Sequence, residues 1–344
     1  MKVTDVHLAG LGSYLPEVVP IGVAVAQGAY SAEAAERTGL TGAAVAGEVP
    51  APDMALTAAR RLFERTGHDP AAVGLLLYAD AFQAGPEGWF PHAYLQANLV
   101  GGEALAAGVR QGCNGVFGAL ELAAAYLGAA GRGASALITA ADNMTSPLVD
   151  RWQCLRPDFI LGDGATAVLL TRAPGFARLL SVGSVTVTGL EGLHRGDEPL
   201  HPPGAALGRP LDFAARFAAF AARGGMADAG LAVVKARGEL LDRVLAEAGV
   251  EVPDLARVLY NHGSREYVEN GLLGMLGLPL ERSNWAFGRG VGHLGAGDQL
   301  MSLDHLLTAG ELGAGDRVLL VGLGPGVTIA AAVLEITATP PWSA

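Results

Sequence analysis

A glycine-flanked cysteine, Cys113 in VRQGCNGVFGALELAAAYL, is the residue of this chain best suited to act as a nucleophile. A short strand at about 106–109 leads into a tight turn, and an apolar helix follows. A cysteine at a helix N-terminus meets the positive end of the helix dipole, which favours the thiolate. Gly112 and Gly115 let backbone approach a substrate closely. The chemistry implied is covalent: the thiolate attacks an acyl thioester and carries the acyl group itself. The residues alone leave a buried structural cysteine equally open. The second cysteine, Cys154 in RWQCLRP, has no strand-to-helix turn around it and reads as replaceable. Two cysteines make no disulfide framework and suit a reduced, cytoplasmic protein.

The elements that must hold such a turn alternate between strand and helix. Apolar runs suited to strands covered on both faces occur at Gly74–Tyr78, Ser135–Thr139, Ala165–Leu170, Arg257–Tyr260, Val318–Val321 and Val327–Leu334. Helical spacing of apolar residues marks 53–66, 115–128 and 229–248. The pattern predicts an α/β fold with mostly buried sheets. It also repeats. GLLLYAD (74–80) resembles RVLYNHG (257–263), SALITAADN (135–143) resembles RVLLVGLGPG (317–326), and GDGATAVLL (162–170) resembles GPGVTIAAAVL (324–334). Three pairs in one order predict an internal duplication with its seam near 172–182, giving halves 1–175 and 176–344. The segment 191–213, rich in Pro, Gly and charge, reads as a long loop that either shapes a pocket or merely connects.

Bulk properties narrow the function. The chain has 344 residues, 51% of them hydrophobic, and a net charge of -11 with only 23 basic residues. That excludes a nucleic-acid binder. The N-terminus lacks the apolar core of a signal peptide, and no uninterrupted apolar run reaches the roughly 18 residues of a membrane span. Arg60, Arg61 and Arg65, on one predicted helix, either form a patch for an acidic carrier protein or a solvated face.

From end to end the chain resembles the ketosynthase III branch of the thiolase superfamily. The resemblance rests on ERTGL (36–40), the Cys113 turn, FILGDGATAVLL (159–170), YNHG (260–263), GVGHLGAGD (290–298) and VLLVGLGPGVT (318–328), six motifs in order. It implies a duplicated thiolase fold with five αβαβα layers, a homodimer, and acyl transfer through the cysteine. It also implies a triad. Cys113 matches the nucleophile and His262 the histidine, while His293 stands where the family has asparagine. Arg37, Arg156 and Arg265 fall where the acyl donor would bind. That donor, a thioester on the phosphopantetheine of an acyl carrier protein or on coenzyme A, is substrate; no cofactor or metal is expected. The GLGPG turn also looks like the chalcone-synthase branch.

Several positions depart from the family. Glu33 replaces a tryptophan that packs the coenzyme A adenine, and His262-Gly263-Ser264-Arg265 replaces a His-Gln-Ala-Asn stretch. Pro325 replaces a glycine whose N–H serves the oxyanion, and proline has no N–H to give. The sequence is similar to ketosynthase-III-like acyltransferases of antibiotic pathways, which move an acyl group to a hydroxyl or carrier without forming a carbon–carbon bond. A histidine is a good base near pH 7 and an amide is not, so His293 suits deprotonation of a small-molecule or carrier acceptor. Asp298, five residues on, would orient that imidazole if the GAG between them turns back; an exposed Asp on the following helix is the other reading. His293 or His262 is expected to replace the missing oxyanion donor. Two alternatives remain: decarboxylative condensation, with two histidines holding a malonyl carbonyl, and a non-catalytic partner subunit.

Overall fold

The computed structural model describes residues 1–155, 158–202 and 208–343. Its strands are β1 (His7–Tyr14), β2 (Val18–Pro20), β3 (Gly42–Ala44), β4 (Leu75–Ala79), β5 (Leu105–Val109), β6 (Ser135–Asp142), β7 (Gly164–Thr171), β8 (Ala177–Thr186), β9 (Leu255–Leu259), β10 (Arg317–Gly324) and β11 (Thr328–Ile336). Nine of them form one sheet in the order β5-β4-β6-β7-β1-β8-β11-β10-β9, while β2 and β3 pair apart.

The order of the large sheet contains the same pattern twice. In the first run β5, β4 and β6 are parallel, and β7 and β1 follow antiparallel. In the second, β9 and β10 are parallel, and β11 and β8 follow antiparallel. A single parallel bridge from Ser283 to Val258 stands outside β9, where β5 stands in the first run. The three sequence pairs fall on equivalent strands: β4 with β9, β6 with β10, β7 with β11. The runs meet at β1 and β8, joined by only two residue pairs.

The layers follow from side-chain alternation along these strands. Leu76, Tyr78, Leu137 and Leu169 point to one face and pack under the helix Ala51–Thr66. Leu75, Leu77, Ala136 and Ile138 point to the other, into a central core shared with Val318, Leu320, Ala330 and Ala332 of the second run. The helices Gly115–Ala129 and Asp298–Thr308 fill that centre. On the far side, Leu319, Val321, Ala331 and Val333 pack under the helix Ala229–Ala248. The result is five layers, αβαβα, as expected of a thiolase fold. Helix Gly115–Ala129 is apolar nearly all round because both its sides meet a sheet.

Among the described residues, no helix is long and apolar enough to cross a membrane. The expected carrier patch is not free: Arg61 donates to Ser13 O, and Arg65 donates to Leu11 O and pairs with Asp304 at 2.7 Å. These two guanidiniums tie the outer helix to β1 and to the central helix, which leaves only Arg60 of the three without an internal role.

Candidate active site

Strand β5 delivers the chain to a single 3-10 turn, Gly112–Asn114, from which helix Gly115–Ala129 springs. Gly112 has φ +55°, and a Cβ there would stand 2.7 Å from Pro325 Cδ. Only glycine lets this turn press against the Gly324–Gly326 turn of the second half. The Asn114 amide locks the junction by donating to Thr328 O at 2.6 Å. Cys113, 8% exposed, is thereby held at the contact between the halves.

A buried relay runs from its sulfur. His293 Nε2 lies 2.9 Å from Cys113 Sγ, and His293 Nδ1 lies 2.5 Å from Asp298 Oδ2. Asp298 is fully buried, not an exposed helix residue. The GAG does turn back: Gly295 at φ +62° lets the 3-10 turn Gly295–Gly297 aim the first residue of the next helix at the imidazole. Leu294 N–H and His262 N–H also donate to the carboxylate, at 2.7 and 2.8 Å. Burial would raise the Asp298 pKa, but His262, His293 and these N–H groups outweigh it and hold the group below its ordinary value. Burial would likewise lower His293; the Asp298 carboxylate, Cys113 and the hydrogen bonds to both instead hold it well above its ordinary value. The carboxylate therefore fixes Nδ1 as the protonated nitrogen and aims Nε2 at the thiol, a geometry suited to exchanging the sulfur's proton.

The motif FILGDGA holds this imidazole by its backbone. His293 N donates to Ile160 O at 2.7 Å, and Gly162 N donates to His293 O at 2.8 Å. Asp163 of the same motif is buried, accepts from Met144 N and Ala46 N, and takes both Arg151 nitrogens at 3.1 Å.

His262 does not join the relay. Its Nδ1 lies 2.9 Å from Gly292 O and 3.4 Å from Asp298 Oδ1, both acceptors, so Nδ1 carries the proton. Its Nε2 accepts from Ser302 Oγ at 2.7 Å, and Ser302 in turn accepts from Asn284 Nδ2 at 2.9 Å. Burial pushes His262 below its ordinary value, against the pull of Asp298. With both ring nitrogens engaged it is unavailable as the base, or as the substitute oxyanion donor expected from the sequence; it supports Asp298. The Asn261 amide offers a donor that is not committed elsewhere. Its Oδ1 accepts from Leu323 N at 2.8 Å beside the Pro325 turn, and its buried Nδ2 has no partner among the described residues.

Of the expected donor-binding arginines, Arg37 and Arg265 can be placed. Arg37 is exposed at the end of its helix, and Arg265 is exposed and bonded twice to Glu269 at 3.1 Å. Arg156 lies outside the described residues. The cap Gly39 of the Arg37 helix sits against Trp285 and Arg265, and Arg289 lies 4.5 Å over the Trp285 ring. Thus an indole the sequence reading did not single out stands near Arg37, although Glu33 itself is exposed. Ser302 was also missed, yet it is legible: four residues after Asp298, it shares that helix face. Cys154 is buried, and burial followed by Asp150 pushes its thiol up to about 11. The 191–213 loop does shape a cavity: Glu198, Arg209 and Leu211 line one of about 230 Å³ with Phe82 and Asn143.

Comparison with known proteins matches the 3-oxoacyl-[acyl-carrier-protein] synthase III model over residues 108–186 and its C-terminal model over 245–336. The solved structure of ChlB3, an acyltransferase, is 51% identical with TM-score 0.95, covering 98% of this chain and 99% of that one. The β-ketoacyl-[acyl-carrier-protein] synthase III of Clostridium beijerinckii is 24% identical over 96% of this chain and 99% of its own length. The fold is shared by the solved 3-oxoacyl-(acyl carrier protein) synthase III of Pseudomonas aeruginosa, at TM-score 0.76 and 24% identity over 98% of this chain and 99% of that one.

Proposed function

Since the chain belongs to the 3-oxoacyl-[acyl-carrier-protein] synthase III-like family of the thiolase superfamily, we propose that it transfers an acyl group from a carrier-protein or coenzyme A thioester through Cys113 to an acceptor hydroxyl or carrier thiol. The observation that carries this reading is the Cys113–His293–Asp298 relay. His293 Nε2 takes the Cys113 proton, and the sulfur attacks the thioester carbonyl. The oxyanion meets the Cys113 N–H at the helix start and the Asn261 amide. Collapse expels the donor thiol, which leaves with the proton from Nε2, and the acyl group stays on sulfur. The acceptor then gives its own proton to Nε2, attacks the acyl-cysteine, and returns Cys113 to its starting state.

The condensing alternative needs two histidines converging on one malonyl carbonyl, and His262 Nε2 is committed to Ser302. An intact, buried relay also weighs against a non-catalytic partner subunit. The 51% identity to an acyltransferase supports transfer over condensation, and a place in antibiotic or polyketide metabolism accords with it. The test is intact-mass spectrometry after incubation with acyl thioesters, with and without an acceptor. An acyl increment on Cys113 that the acceptor discharges, with no carbon dioxide from a malonyl thioester, is expected. Carbon dioxide released in step with a β-keto product overturns the reading.

The halves 1–175 and 176–344 are proposed as the functional division, the first carrying the nucleophile and the second the base. A homodimer in the cytoplasm through the first half is proposed as well. Edge strand β5 carries Leu105, 61% exposed, and Phe90, ahead of the helix Pro91–Leu95, is 61% exposed as well. Sedimentation at micromolar concentration should give twice the 35.0 kDa chain mass.

A further inference from the structure

The relay spans both halves of the fold, so the distance between the halves has to be held. Cys113 rides on a turn of the first half and Asp298 on a turn of the second. The Cys113 turn is tied across the seam by the Asn114 amide on Thr328 O. A reciprocal tie holds the other turn. Asp142, the last residue of β6 and 1% exposed, accepts the Ala296 N–H on Oδ2 at 3.1 Å. Among the described residues this is the one hydrogen bond from the turn Gly295–Gly297 to the first half.

The same carboxyl closes on the side of the nucleophile. Its Oδ1 accepts the N–H groups of Ala81 and Phe82, both at 2.9 Å, just beyond β4. A Cβ on Gly115 would stand 2.9 Å from Ala79 Cβ, so the helix that follows Cys113 presses on the end of that strand. Gly295 gives the carboxyl its room: at φ +62°, a Cβ there would stand 2.0 Å from Asp142 Oδ2. Ala296 lies between Leu294 and Asp298, which bond to each other at 2.7 Å, and Asp298 lies 2.5 Å from His293. Moving Ala296 therefore moves the carboxylate that orients the imidazole. The Asp142 oxygens meet three N–H donors; Asp80 and the Tyr78 phenol are coupled to it by charge without bonding to it.

We propose that Asp142 is a positioning residue for the Cys113–His293–Asp298 relay, fixing the Asp298 turn against the strand end that backs the nucleophile. It touches no reacting atom and acts through Ala296. This rests on the transfer reading and adds the residue that keeps the two halves of its machinery in register. An amide of the same shape cannot replace the carboxyl. With its oxygen on the Ala81 and Phe82 N–H groups, an asparagine turns its NH₂ against the Ala296 N–H, donor against donor. The turn must then draw away, and a misplacement of about 1 Å from a remote change can cost about 100-fold in rate.

Two readouts test it. Loading of Cys113 from an N-acetylcysteamine acyl thioester is followed by intact mass. The pH at which iodoacetamide alkylation of Cys113 rises reports the proton held between Cys113 and His293, and needs no substrate. Asp142→Asn should load about 10–100-fold more slowly. Its alkylation should rise at higher pH than in the wild type, in the direction of Asp298→Asn but by less, because a displaced Asp298 supports the imidazolium less well. In the Asp298→Asn background, Asp142→Asn should change the alkylation rate by less than about 2-fold, since the carboxylate it acts through is gone. Gly295→Ala reaches the same contact from the other side and should move both readouts the same way, so the test survives if Asp142→Asn does not fold. Tyr78→Phe removes the bond from Tyr78 to Ala141 O beside the same strand end; it should lower the melting temperature and leave the alkylation profile in place. A folded Asp142→Asn protein with wild-type loading and profile overturns the inference and leaves transfer standing. So does a loss that persists undiminished in the Asp298→Asn background, the mark of a purely structural carboxyl. If the wild type takes no acyl group while the alkylation shifts appear as expected, the transfer reading falls and the placement of the relay by Asp142 stands.

Discussion

The fold builds the same turn twice, and only one copy carries a thiol. In the first half a 3-10 turn, Gly112–Asn114, opens helix Gly115–Ala129; in the second, Gly295–Gly297 opens helix Asp298–Thr308. Ala296 thus stands where Cys113 stands. The strands facing the two turns differ in their last residue. β6 ends in Asp142, whose carboxylate accepts the Ala296 N–H at 3.1 Å, and the N–H groups of Ala81 and Phe82 as well. β10 ends in Gly324, where a Cβ would stand 3.4 Å from the Cys113 nitrogen. One turn has its N–H bonded to a resident carboxyl oxygen; the other faces a residue with no side chain. The comparison teaches that a helix-opening N–H in this fold suits a carboxyl oxygen, and that the half carrying Cys113 brings no side chain of its strand end to the equivalent N–H.

The most severe way to break the comparison is to move the thiol. Cys113→Ala should abolish transfer while the protein stays folded, and Cys113→Ala combined with Ala296→Cys should not restore it. The transplanted thiol meets a turn whose N–H is already taken and has no imidazole beside it. Acyl-enzyme detected on the Ala296→Cys thiol would show that position within the fold is less decisive than argued.

Next in size come the two histidines. His293→Asn removes the group that receives the proton in both half-reactions, so acylation and discharge should each slow by about 10²–10⁴-fold. The 2.9 Å contact to the sulfur makes Nε2 a partner in loading as well as in discharge to the acceptor. His262→Gln should lower the rate far less and shift its pH profile, because that ring acts through Asp298. Single-turnover mass kinetics across pH separates the two. Equal losses would put His262 in the chemistry.

Sequence and structure diverge where partners come from far along the chain. Apolar runs such as Ser135–Thr139 and Val318–Val321 declare themselves locally. The two central strands, β1 and β8, escaped: HLAGLGSY carries glycines at 10 and 12, where a Cβ on Gly12 would stand 2.2 Å from Ala58 O of the outer helix. Cys113 was legible from its turn, and Asp298 from its five-residue spacing after His293. The orientation of His262 was not, since Gly292 and Ser302, 30 and 40 residues on, decide it. Nor was Asp142, whose partners Ala81 and Ala296 lie in both halves.

A smaller effect separates the two thiols. Burial holds Cys154 up at about 11, so iodoacetamide at pH 7–8 should label Cys113 alone, and Cys154→Ser should leave transfer near the wild-type rate. Labelling of Cys154 at a comparable rate would contradict its burial.

The last test bears on Asp142, the carboxyl group that faces the turn Gly295–Gly297. Burial raises its pKa to about 7, against the pull of the three backbone N–H groups, from an ordinary 3.8. Below about pH 4 the carboxyl is protonated whether the chain is folded or unfolded, and stability does not depend on its ionisation. Between pH 4 and 7 the unfolded chain releases the proton and the folded chain keeps it, so stability is lost as pH rises, by about 4 kcal/mol in all as an order of magnitude. Above pH 7 the loss is complete and constant. Asp142→Asn cannot titrate. Its stability relative to wild type should therefore climb across pH 4–7 and then level, measured by denaturant midpoints in a pH series. A flat difference would mean that the three N–H groups hold the carboxylate ionised throughout despite its burial. The Cys113 N–H would then be a stronger oxyanion donor than the Asp142 titration implies, because one N–H of the same kind would be stabilising a buried anion across the whole range.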